Sequence, residues 1–221
     1  MEGGPPFAWE PDKGVHVGIL PRHGGTAEDI RWVEMDLCFT FHFMNAYESG
    51  DELIIDGSQF ETAPLFPTPD GAFTGATAPF LNRWSLDLKD PGARFEFKQI
   101  DEFESEFPQC DPRYVGQPYR HGWYTSPDGE LKSPLKENDN FYNCVGHIDH
   151  QTDDVDRYSF GQGATSEAIF VPKSEGAAEG EGYLLSVVTS FETKNSSLYI
   201  FDALKLADGP LAIAHLSHRV P

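Results

Sequence analysis

The chain has 221 residues, 39% of them apolar and 13% aromatic, which is enough for one globular domain with a sizeable core and too hydrophobic for a disordered segment. A formal net charge of −20 argues against a nucleic-acid partner, which selects a basic face, and against electrostatic docking on anionic lipid. Cys38, Cys110 and Cys144 are odd in number and far apart, so they offer no disulfide framework and point to a reducing, cytoplasmic compartment.

Residues 1–6 lack the basic start and apolar core of a signal peptide, although a targeting segment upstream of the chain would change that assignment. No run is long and apolar enough to span a bilayer. The 21 glycines and 17 prolines are scattered between short apolar runs, the pattern of an all-β protein with many turns. In chain order, strands are expected over residues 15–21, 30–35 and 37–47. A tight turn at Ser49-Gly50-Asp51 leads into another at 52–56. Residues 60–79, rich in proline and glycine, read as a surface loop. Residues 80–88 and 93–100 alternate like a strand pair around Lys89-Asp90-Pro91-Gly92. Residues 102–118 look irregular. Strands follow over 119–125, 141–149, 155–160, 168–172, 183–191, 197–203 and 211–217. No helix longer than a turn or two is expected. Periodicity alone leaves sandwich, barrel and propeller open.

The most informative stretch is Phe39-Thr40-Phe41-His42-Phe43-Met44-Asn45-Ala46-Tyr47-Glu48. Counted by two, Phe39, Phe41 and Phe43 share one strand face, and Thr40, His42 and Met44 the other. An imidazole in such a setting needs a partner, which is either a hydrogen-bonded core group or a metal ion. Cys144, His147 and His150 have zinc-ligand chemistry, but three are too few for a closed structural site and they share one hairpin arm. His215 and His218 have no carboxylate or thiolate cluster near them in sequence. Ser166 and Ser186 lack a nucleophile elbow, and no phosphate loop or dinucleotide fingerprint is present.

Residues 41–48 resemble the "FHxxNAYE" signature of the carotenoid cleavage oxygenases, the family of the lignostilbene dioxygenases and the retinal-pigment-epithelium isomerase. Further segments agree in the family's order. Gly18-Ile19-Leu20-Pro21-Arg22 resembles "GVLPR". Glu106-Phe107-Pro108, with residues 111–120, resembles "EFPRIDPRYVGRPYRY". Residues 166–172 resemble "GEPVFVP", residues 180–185 "EDDGWLL", and His218-Arg219-Val220-Pro221 the start of "HRVPxGFHG".

The resemblance implies a seven-bladed β-propeller with a non-haem Fe(II) on its axis, held by four histidines of which three are oriented by glutamates. His42 matches one ligand, and Glu106 and Glu167 match two of the glutamates, each expected to serve a histidine other than His42. Glu48 is expected to have a structural turn role. The other ligands fall outside the chain, and His218 belongs to the flanking "HRVP". Residues 1–221 are therefore expected to form a single domain, a partial propeller truncated at both ends and inactive by itself. The implied activity is cleavage of a carbon–carbon double bond of a carotenoid, apocarotenoid or stilbene by O₂ to two carbonyl products. The implied partners are an apolar small molecule and O₂, with a peripheral membrane contact left open for the full-length protein. The rival readings are an isomerase on the same scaffold and a non-catalytic propeller that binds a partner.

Overall fold

In the computed structural model, residues 7–75, 77–129 and 141–220 are described. Residues 1–6, read above for a leader, and Pro221 of the last motif lie outside them. The short alternating runs become antiparallel strands in sequential order. Strands β1 (Val15–Ile19) and β2 (Arg31–Met35) form a hairpin. A first four-stranded sheet follows from β3 (Phe39–Ser49), β4 (Glu52–Phe60), β5 (Phe80–Asp87) and β6 (Glu96–Glu104). A second comprises β7 (Glu106–Cys110), β8 (His121–Ser126), β9 (Cys144–Asp149) and β10 (Asp154–Ser159). In the third, β11 (Gly163–Thr165) and β12 (Ile169–Pro172) both pair with β13 (Gly182–Ser190), which leads to β14 (Ser196–Asp202) and β15 (Ala212–His215). Each sheet is a meander running from an inner to an outer strand, the build of a propeller blade. The inner strands β3, β7 and β12 lie side by side. The fold is all-β and a partial propeller, as expected, and the helical segments among the described residues are single 3₁₀ turns.

The middle blade explains why the segments hold together. Every residue of β8 and β9 is buried, so alternation sends side chains into two separate cores. Tyr124 and Ile148 join Met44, Tyr47, Ile54 and Leu81 against the first blade. Trp123 and Val145 join Phe170, Leu184, Phe201 and Leu206 against the third. Trp123 stacks on Phe170 at 4.5 Å between centroids and donates from Nε1 to the Ala203 carbonyl at 2.8 Å. The three free cysteines are buried, and burial pushes the Cys110 thiol up to about 12.

Three differences from the sequence reading matter. Strand β7 lies inside the stretch expected to be irregular, because Pro108 and the acidic residues around it hide a strand signal. Its position at the inner edge of the blade tolerates a residue with no N–H to donate. Strand β6 continues to Glu104 rather than ending near residue 100. The short β11 was not anticipated.

Polar side chains clamp the blades together. Asn45 on β3 donates to the carbonyls of Tyr114 and Gln117 at 3.1 Å each and accepts from the Gly116 N–H at 2.9 Å. Arg113 is held by Asp111 and donates to the Ala177 carbonyl at 2.9 Å, so the turn after β7 also grips the loop of the third blade. Asp56 on β4 is fully buried. It accepts a bidentate pair from Arg83 at 2.7 and 2.8 Å and a hydrogen bond from the Tyr119 hydroxyl at 2.6 Å. Replacing Asp56 by Ala strands a guanidinium and a phenol at the junction of two blades. The expected loss is about 3 kcal/mol, read as a lower urea midpoint at unchanged slope. A loss below about 1 kcal/mol, the value of an exposed pair, would contradict the clamp.

Candidate metal centre

The aromatic run that singles out His42 does form the innermost strand, but its alternation is broken. The β3–β4 register shifts between Thr40 and Phe43 and again between Phe43 and Asn45, so a bulge sits at His42. Opposite the bulge, a Cβ on Gly57 would come within 2.9 Å of the Phe43 ring and 3.2 Å of the His42 carbonyl oxygen, so glycine permits the close approach. Phe39 and Phe41 stay together, ring edge to ring face at 4.6 Å, with Phe41 packed on Phe60 at 5.5 Å. Phe43 leaves their face. It is 58% exposed and packs on Trp84. The expectation of three phenylalanines on one face is corrected accordingly.

His42 meets Glu106, the first residue of β7, across the blade boundary. The imidazole Nδ1 lies 2.5 Å from Glu106 Oε2. The same oxygen accepts the Phe107 backbone N–H at 2.6 Å, and with Glu106 ionised the proton of its contact with His42 belongs to Nδ1. Phe107 reaches that geometry with a φ of 50°, in the left-handed region. Its ring then covers the imidazole at 4.8 Å between centroids. Burial raises the Glu106 carboxyl above the usual range. The Phe107 and His42 contacts oppose this, and the charge of Glu167 adds to it. The other oxygen, Oε1, is buried without a partner among the described residues.

The sequence reading assigned Glu106 to a different histidine; here it orients His42 itself. Glu167, exposed just before β12, lies within electrostatic reach of Glu106. No hydrogen bond joins it to His42 among the described residues. Glu48 is exposed at the turn end of β3. Cavity-lining residues that the sequence did not flag are Glu104, Phe107 and Tyr142. They surround His42 together with Phe41, Phe60, Leu65 and Pro79 in a cavity of about 330 Å³. The only advance signal was that Phe107 sits inside the Glu-Phe-Pro motif.

The pair suits one arm of a metal centre. A carboxylate on Nδ1 fixes the tautomer that leaves the Nε2 lone pair free. The described residues contain no group of three or more histidine, cysteine or acidic side chains able to hold a metal ion, so His42 fits one coordination position of such a centre. His147 and His150, one turn of the pattern apart on β9 and beyond, face different cores. His147 bonds His121 at 3.0 Å and stacks on Trp123, whereas His150 packs on Tyr119. His215 is exposed and bonded to Ser197, and Ser186 to Thr165.

Fold and site together define a β-propeller with a carboxylate-oriented imidazole on its inner strands. The family profile described as retinal pigment epithelial membrane protein matches residues 1–221, and the chain belongs to this family of carotenoid oxygenases. It is similar to lignostilbene-alpha,beta-dioxygenase isozyme III of Sphingomonas paucimobilis, 38% identical over 99% of this chain and 47% of that protein. It is similar also to isoeugenol monooxygenase of Pseudomonas putida, 35% identical over 98% of this chain and 46% of that protein. The solved lignostilbene dioxygenase of Pseudomonas brassicacearum superposes with a TM-score of 0.90 at 30% identity, covering 99% of this chain and 47% of that one. A cobalt-substituted apocarotenoid oxygenase of Synechocystis superposes with a TM-score of 0.81 at 26% identity, covering 96% and 43%. The chain thus spans about half the length of the curated relatives it matches.

The buried imidazoles of the middle blade set a pH dependence. Burial drives His147 and His150 each down to about 4, the charge of His121 adding to the effect on His147. Both are neutral in the fold and protonate in the unfolded chain near 6.5, so stability is full above that value and falls as pH drops toward 4. Between pH 7 and pH 5 the expected loss is about 2 kcal/mol per histidine. Chemical unfolding at the two pH values measures it, and His147→Gln should remove one share. A flat profile would show that these imidazoles are not held neutral.

Proposed function

We propose that this chain is part of an Fe(II)-dependent oxygenase that splits the carbon–carbon double bond of an apolar arylalkene or polyene with O₂, giving two carbonyl products. The observation that carries the reading is the 2.5 Å contact between Glu106 and His42. It orients the His42 imidazole beside an apolar cavity. When bound, Fe(II) held by imidazoles supplies open coordination positions for O₂. His42 would hold it through Nε2, and Glu106 would fix the ring tautomer that presents that nitrogen. Glu167 would orient a further ligand supplied by another part of the protein. Phe41, Phe60 and Phe107 would exclude water and take the apolar substrate. Two relatives support this reading by their names, a lignostilbene dioxygenase and an isoeugenol monooxygenase, and the cobalt-substituted neighbour supports a metal requirement.

Cleavage of a stilbene with O₂ by the whole protein, with iron content measured in parallel, tests the reading. His42→Ala should abolish both. Glu106→Gln should lower iron affinity or turnover about 10–100-fold with the circular dichroism spectrum unchanged. Full activity in His42→Ala would remove the proposal.

A separate expectation concerns residues 1–221 alone. With a single imidazole at the site, this chain should bind well under one equivalent of Fe(II) and cleave nothing. Stoichiometric iron with steady turnover would show that other side chains, His215 or His218 among them, complete the site.

A further inference from the structure

The third blade has a cavity of its own, of about 300 Å³, which shares no lining residue with the one beside His42. It lies where the β13–β14 turn meets the segment after β15. Val187 and Phe191 form an apolar wall, and Lys194 and Arg219 bring two positive charges to the same space. No acidic side chain lines it, although acidic residues outnumber basic ones 36 to 16 in the chain. Glu167 and Glu192 follow the lining residues Ser166 and Phe191 in sequence but stay outside the lining. Elsewhere Arg83, Arg113 and Arg120 are each held by an aspartate. The Lys194 ammonium and the Arg219 guanidinium have no hydrogen-bond or ion-pair partner among the described residues.

Both cations spring from a fixed backbone. Lys194 has a φ of 62°, in the left-handed region that glycine and asparagine enter at lower cost. The turn holds it there. Its N–H donates to the Ser190 carbonyl at 3.0 Å, and the Phe191 N–H donates to the Gln162 carbonyl at 3.1 Å. Arg219 is flanked by two bonds to Ser196, which is fully buried. The Ser196 N–H donates to the His218 carbonyl at 3.1 Å, and the Val220 N–H donates to Ser196 Oγ at 2.8 Å. Two unpaired cations anchored around one partly apolar space match an anion with an apolar body.

We propose that this cavity binds an aromatic monocarboxylate, with the carboxylate between Lys194 and Arg219 and the ring against Val187 and Phe191. A guanidinium offers a planar fork of donors that fits a carboxylate, and an ammonium adds a point charge. The Phe191 ring is itself braced edge-on by Phe141 at 5.0 Å between centroids, so it gives the ligand ring a firm surface. The volume is at the small end for ligand sites and suits a single ring. Inorganic phosphate carries more charge but has nothing to cover the apolar wall. The proposal does not depend on the oxygenase reading.

The test is titration of the nitrogen-15-labelled chain with trans-cinnamate, neutral cinnamyl alcohol and inorganic phosphate, followed by proton–nitrogen NMR. Cinnamate should move the amide signals of residues 189–195 and 219–220 and leave those of residues 104–107 in place. Cinnamyl alcohol and phosphate should each bind at least about tenfold more weakly. Arg219→Gln should weaken cinnamate about tenfold, and Arg219→Lys should recover part of that loss. Lys194→Asn, which suits the same backbone conformation, should weaken it about two- to fivefold. Both positions are exposed, and the comparison of the three ligands on the unmodified chain stands without any variant. Four results would overturn the proposal: no binding at millimolar cinnamate, equal affinity for the alcohol or for phosphate, shifts confined to the His42 cavity, or affinity untouched by Arg219→Gln.

Discussion

The hydrogen bond from His42 to Glu106 is the constraint around which the inner face of this propeller is arranged. It joins the innermost strands of two blades, and each partner is placed by a local distortion. A β-bulge at His42 turns Phe43 out of the phenylalanine row and sets the imidazole beside Glu106. A left-handed Phe107 turns its own N–H onto the carboxylate. The energetics are opposed. Burial disfavours the carboxylate, and two N–H donors on one oxygen favour it. The donors do not fully offset burial, since the Glu106 pKa stays raised. A charge-assisted hydrogen bond is worth about 1.5–3 kcal/mol, comparable to the strain of one unusual backbone conformation at about 1–3 kcal/mol. The pair is therefore poor as a source of stability and good as a means of fixing one imidazole tautomer.

Stability comes from elsewhere, and its location keeps the site rigid. The middle blade is buried on both faces, and its neighbours are tied to it by Trp123, Asn45, Arg113 and the Asp56 network. Glu106 opens the first strand of that blade, so the carboxylate is anchored to the best-packed part of the molecule. By contrast, His42 has a side chain 41% exposed and faces the cavity. A rigid acceptor behind a more open imidazole is the arrangement that orients a ligand without blocking it.

The sequence was informative where a residue type carries its own geometry. Alternating aromatic and β-branched runs located most strands, and turn residues such as Ser49-Gly50-Asp51 set their limits. The motif resemblance brought out His42, Glu106 and Glu167 and the propeller itself. What stayed hidden depends on contacts between distant segments. That Glu106 serves His42 is decided by which blade edges meet. The role of Asn45 in holding the turn at Tyr114–Gln117 is likewise a tertiary fact, although both ends lie in recognisable motifs. Strand β7 was obscured because a proline at an inner edge looks, in sequence, like a strand breaker. The bulge at His42 was hidden because strict alternation is the default reading of an aromatic run, and Gly57, the residue that permits it, lies on the partner strand.

The central claim is that Glu106 fixes the His42 ring tautomer that carries its proton on Nδ1 and presents Nε2. Proton–nitrogen correlation NMR of the metal-free chain labelled at the histidine ring nitrogens tests it most directly, with His42→Ala assigning the signal. The account predicts that the neutral ring carries its proton on Nδ1 and none on Nε2, and that Glu106→Gln shifts it toward the opposite tautomer. A proton on Nε2 of the neutral ring in the unmodified protein, or one tautomer unchanged by Glu106→Gln, would contradict it.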